Sequence, residues 1–134
     1  MTGAREQTTY PAPPTTFEQL VAPFAANVQE AAVALRAIFR ARFPDAVESV
    51  SGGLKFATAL YSFTRPTNVA FGLQPTPTHC KLFLHHVRPG DIAGLRLEGS
   101  GKHARHVKVA SADDARRPEI AAAIEAAGRG AGAR

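Results

Sequence analysis

The chain has 134 residues, 45% of them apolar, which is enough for one packed domain and too short for two comfortable ones. Its formal charge is +5, from 16 basic against 11 acidic residues, and its single cysteine, Cys80, excludes an internal disulfide. No run approaches the ~18 apolar residues of a membrane span. Met1 to Thr16 is polar and carries no apolar leader segment, so a cytoplasmic protein is expected.

Arg5, Arg129 and Arg134, with Glu6, fall in the two ends, so the body of the chain is less basic than the whole. No interleaving of aromatic and basic residues along the sequence accompanies the charge. Neither nucleic acid nor a membrane is therefore an expected partner.

In chain order, residues 1–15 are polar and proline-rich and read as a flexible arm. Thr16 followed by Gln19 has capping-box spacing, and Phe17, Leu20 and Val21 begin a helical stripe. Pro23 interrupts it. The pattern predicts a short helix over 17–22, then a second helix with Pro23 in its first turn. Phe24, Val28, Ala31, Leu35, Ile38 and Phe39 share one side of that helix, with Gln29, Arg36 and Arg40 opposite. Phe43-Pro44 ends it.

The period then changes. Residues 47–51, 54–63, 67–74, 80–87 and 104–110 are short, rich in Val, Phe, Leu and Tyr, and separated by Gly and Pro turns. Loops this short favour antiparallel neighbours. A last helix starts at Pro118, carries the apolar pair Ile120 and Ile124, and is expected to close at Gly128. The expected fold is α+β: a single antiparallel β-sheet of about five strands, with N-terminal and C-terminal helices packed on one face. The domain is placed at residues 16–127, with 128–134 as a flexible Gly/Ala/Arg tail.

Two segments carry a resemblance. LRAIFRARFPDAVESV (35–50) runs a core helix into a Pro-x-x-x-Glu turn and a strand. LEGSGKHARHVKVASADDARRPEIAAAIEAA (97–127) contains Gly-Ser-Gly-Lys-His-Ala-Arg-His-Val-Lys. Both are similar to the YdhG-like domain family, whose short branch has the pattern Gly-[ST]-Gly-Lys-x-x-Arg-His-Val-Lys. The similarity covers residues 17–127, and over 54–80 it lies in length and strand pattern rather than in residues. It implies helices on a curved antiparallel sheet, comparable in arrangement to frataxin. Some members are described as frataxin-like iron chaperones, and most have no assigned activity.

Iron handling of the frataxin kind needs hard oxygen ligands on the first helix and first strand. Across 17–51 the acids are only Glu18, Glu30, Asp45 and Glu48, set against Arg36, Arg40 and Arg42. Asp113 and Asp114 form the densest acidic pair, and their ordinary role is capping the next helix. His79, Cys80, His85, His86, His103 and His106 invite a softer metal. Strand alternation, however, sends His85 and His86, and likewise His103 and His106, to opposite faces. No Cys-x-x-Cys or His-Glu-x-x-His is present, so no metal and no cofactor is expected.

Gly99-Ser100-Gly101-Lys102 has the look of a phosphate-cradling loop. A Walker A match fails, because Arg96 stands where the first glycine belongs and His103 follows the lysine. A tight turn entering the last strand is the ordinary explanation. The functional one is an anion site built from the Gly99 and Gly101 amides with Lys102, Arg105 and Lys108. No catalytic constellation is visible, and Glu48 is the one acid worth following, near Lys55 or Lys102 or in a structural salt bridge. The expectation is a non-catalytic binding module for a small or anionic ligand or a protein partner, a second copy of the chain included. A frataxin-like iron or metal chaperone is the alternative, and an unrecognised enzyme the second.

Overall fold

The computed structural model describes residues 12–53, 56–65, 68–88, 92, 94–98 and 104–132. Elements follow in the order α1 (Phe17–Val21), α2 (Ala26–Arg42), β1 (Val47–Ser51), β2 (Thr58–Ser62), β3 (Val69–Pro75), β4 (Cys80–His85), β5 (Ala104–Val109), α3 (Ala112–Ala115) and α4 (Pro118–Gly130). The strands form one five-stranded sheet in sequence order, every neighbouring pair antiparallel. Helices precede and follow it, so the α+β expectation stands.

Local chemistry sets the helix starts. The Thr16 hydroxyl accepts from the Gln19 amide at 3.1 Å, and the Gln19 side chain accepts in return from the Thr15 amide at 2.9 Å. Ser111 caps α3 by accepting from the Asp114 amide at 3.0 Å, while the Asp114 carboxylate accepts from the Ala110 amide at 3.0 Å. Pro118 opens α4, where its missing N–H would have no helical partner.

Pro23 lies outside α2, which begins only at Ala26 after an extended Ala25. The chain turns through Pro23 instead, with the Phe24 amide donating to the Val21 carbonyl at 3.0 Å. Gln29 donates to the Phe24 carbonyl at 2.9 Å and so closes the turn against the helix. Phe24 is accordingly only half-buried, while Val28, Ala31, Leu35 and Phe39 are fully buried.

The α4 helix runs past Gly128 to Gly130, and Ala131 is still buried. Packing explains this better than capping. A Cβ on Gly128 would fall 2.4 Å from the Phe43 ring, so the missing side chain is what lets α4 close on the end of α2. The 54–63 and 80–87 segments are shorter as strands than expected. Two left-handed glycines, Gly52 and Gly53, shape the first hairpin, and His86 at φ +64° ends β4.

The core lies between the sheet and the helices. Phe39 stacks on Phe71 at 4.5 Å and meets Tyr61 at 4.6 Å, with Phe43 and Phe63 continuing the cluster. From the other half Leu82, Leu84, Val109, Ile120 and Ile124 are fully buried. Leu82 and Leu84 alternate with half-buried Lys81, Phe83 and His85, the period-two pattern of a sheet covered on one side.

Candidate functional site

The side of the sheet that no described helix covers is set by that alternation. On it, Leu60 of β2 stands opposite Gly72 of β3, Gly72 opposite Phe83 of β4, and Phe83 opposite His106 of β5. One step along the strands, Gln74 stands opposite Lys81 and Lys81 opposite Lys108. The Phe83 and His106 rings are 5.8 Å apart. Two lysines directly across a strand pair repel each other, and such pairs are destabilising. Nothing in packing requires them, since both side chains point away from the core.

Two histidines border the lysines. His79, at the start of β4, holds Nδ1 against the Thr78 hydroxyl at 2.9 Å and the Thr76 hydroxyl at 3.2 Å. Its Nε2 is buried with no hydrogen-bond partner among the described residues. Burial first, then Lys108 and Lys81, hold the His79 pKa below its ordinary value; the same holds for His106 through burial and Lys81. Glu98 opposes both shifts. It reaches the β5 edge by a backbone bridge, its amide donating to the His106 carbonyl at 2.8 Å and the reverse bond at 2.9 Å.

Beside this cationic end is a shallow cavity of about 270 Å³ lined by Ser51, Gly52, Thr58, Leu60, Phe83 and His85. Between Leu60 and Phe83 the register places Gly72, which is buried and is not part of the cavity's lining. A Cβ there would sit 3.0 Å from the Leu60 side chain and 2.7 Å from the Ala59 carbonyl oxygen. A larger groove of about 840 Å³ between α2 and α3 is mostly apolar, lined by Val33, Ala37, Ile38 and Ala41. Its polar lining is Gln29, Glu30, Ser111, Asp113 and Arg116, of which Arg116 is paired with Asp113 at 3.3 Å and Gln29 donates to the Phe24 carbonyl at 2.9 Å.

The residues singled out from the sequence separate. Gly99, Gly101 and Lys102 lie outside the described residues, as do Lys55 and His103. Arg105 stands opposite Leu84 and Lys108 opposite Lys81, so a three-residue spacing sends Arg105 to the core side and Lys108 to the open side. They do not share a site. Glu48 points inward and joins neither.

Glu48 accepts from Arg36 Nε and Nη2 at 2.7 Å each, from the Tyr61 hydroxyl, and from Arg40 at 3.5 Å. Burial raises its pKa, but the Arg36 and Tyr61 hydrogen bonds outweigh that and leave it lowered. Burial, then Glu48, drives the Tyr61 phenol up. Arg36 also lies 4.3 Å over the Phe17 ring and 3.4 Å from Glu18. Every acceptor position is engaged, which makes this a tie between helix and sheet rather than a proton-transfer group.

Strand alternation does not separate His85 from His86, because β4 ends between them. His86 is left-handed, and the two rings lie 6.2 Å apart. Among the described residues no three of His, Cys, Asp and Glu are grouped to hold a metal ion. Cys80 is fully buried, and burial pushes its thiol up to about 12. No described helix is long and apolar enough to cross a membrane. Comparison with family models, curated proteins and solved structures finds no match for the chain.

The basic histidine-flanked face was missed in the sequence because its members are scattered over residues 60–108. Only the strand register assembles them. The available signal was the alternation Lys81-Phe83-His85 against buried Cys80-Leu82-Leu84.

Proposed function

We propose that the chain is a cytoplasmic, non-catalytic binding module of the YdhG-like kind, which takes a small anionic ligand on the open face of its sheet. The observation that carries this reading is Lys81 directly opposite Lys108, flanked by His79 and His106. An anion between the two ammonium groups converts a repulsive pair into a charge-assisted contact. The metal-chaperone alternative has less support, since Glu48 and Glu18 are engaged by Arg36.

Titration of inorganic phosphate at low salt, followed by amide and side-chain NMR shifts, tests the reading. Saturable shifts at Lys81, His106 and Lys108 that vanish in Lys108→Gln are expected. Shifts spread evenly over the surface, or none, would refute it.

A further inference from the structure

The open face carries more than charge. Leu60, Gly72, Phe83 and His106 form one cross-strand row, in which buried Gly72, close beneath the Leu60 side chain, separates an aliphatic residue from an aromatic one. The cavity lined by Leu60 and Phe83, about 270 Å³, is just under the ~300–1,000 Å³ of sites that take drug-sized ligands. It is large enough for one planar ring system and too small for a folded partner. Ser51 and Thr58 put hydroxyls on its rim.

The lysine row is parallel to this one and two residues further along β4; with the sideways step of about one and a half strand spacings, the Lys81–Lys108 gap lies roughly 10 Å from the middle of the Leu60–Phe83 gap. A nucleoside phosphate spans that separation from the far edge of its base to its phosphate oxygens. Of the described acids, only Glu98 enters the electrostatics of His79 and His106, so the lysine end favours a dianion.

We infer that the ligand is a nucleoside phosphate, its base seated in the cavity between Leu60 and Phe83 and its phosphate held between Lys81 and Lys108. This rests on the anion-binding reading above and adds to it the chemistry of the ligand's other half. The base is held by apolar and aromatic contact, with the Thr58 and Ser51 hydroxyls at the rim. The arrangement discriminates a base-bearing phosphate from a bare sugar phosphate. It specifies no particular base, because hydrophobic contact and stacking are tolerant of base identity.

Calorimetric titration with AMP, ribose 5-phosphate and a single-stranded hexanucleotide tests the inference on the full chain. AMP is expected to bind about tenfold tighter than ribose 5-phosphate, the scale of one base–aromatic contact. Phe83→Thr should erase that advantage and leave ribose 5-phosphate affinity unchanged. Leu60→Thr, on the opposite wall, should reduce it and guards against a folding defect peculiar to position 83. Equal affinities for AMP and ribose 5-phosphate would overturn the inference while leaving the anion-binding reading intact. No binding of either would overturn both. Binding of the hexanucleotide without AMP would overturn it in favour of an extended strand.

Discussion

Arg36 and Glu48 meet in a two-pronged ion pair, Nε and Nη2 each 2.7 Å from a different carboxylate oxygen, with the Tyr61 hydroxyl donating to the same group. The pair joins α2 to β1, and both side chains are largely withdrawn from water. Replacing the carboxylate by an amide removes the charge, leaves one acceptor oxygen for three donors and turns an NH2 donor toward them. Charge-assisted contacts in such a setting contribute roughly 1.5–3 kcal/mol. Glu48→Gln is expected to lower stability by about 2 kcal/mol, read as a lower urea midpoint with an unchanged slope.

The same carboxylate sets an acid limit. Its folded pKa lies below the unfolded 4.5, so its contribution is fully present above 4.5 and is lost as pH falls through the lowered value. The midpoint difference between wild type and Glu48→Gln should therefore be large at pH 7 and shrink as the solution is taken to pH 3. A pH-independent difference would show that the charge is not what the pair contributes.

His79 and His106 act near neutrality. Their folded pKa values lie below the unfolded 6.5, so the unfolded chain binds more protons in the window beneath that value. Stability then rises with pH through the window and is lost as pH falls below about 6.5. Sulfate, whose charge is constant over this range, should bind more tightly at pH 5.5 than at pH 7.5 as the two rings gain protons. NMR titration of the His106 ring, repeated at both values, checks the sign.

Gly128 gives a packing test. Alanine is favoured over glycine in a helix by about 1 kcal/mol, yet the Gly128→Ala methyl carbon would meet the buried Phe43 ring at 2.4 Å. That ring is held by Phe63 and Phe71 and cannot swing away. Gly128→Ala should lose about 1–3 kcal/mol, and adding Phe43→Leu should recover part of it. Thermal unfolding of the two single variants and the double variant reads the coupling.

The fold was legible because its signals are local and periodic. Thr16, Pro118 and the Val28–Phe39 stripe name the helices, and the alternation through Lys81, Phe83 and His85 names a half-covered strand. Gly128 was misread because an end-of-helix glycine and a close-packing glycine look alike until the Phe43 ring is placed. Pro23 was misread because first-turn and pre-helix prolines differ only in where the cap falls. The grouping of Arg105 with Lys108 followed sequence nearness, whereas a strand separates residues three apart. Lys81 and Lys108, 27 positions apart in the chain, meet only through the β4–β5 register.

Melting temperatures of wild type, Lys81→Gln and Lys108→Gln, each with and without inorganic phosphate at low salt, probe the facing lysines as an anion site most directly. Without phosphate each variant should equal or exceed wild type, because relief of cross-strand repulsion contributes roughly 0.2–1 kcal/mol. Phosphate should then raise the wild-type value and leave both variants where they were. Variants that melt below wild type in phosphate-free buffer, or that keep the full phosphate-dependent rise, would contradict the account.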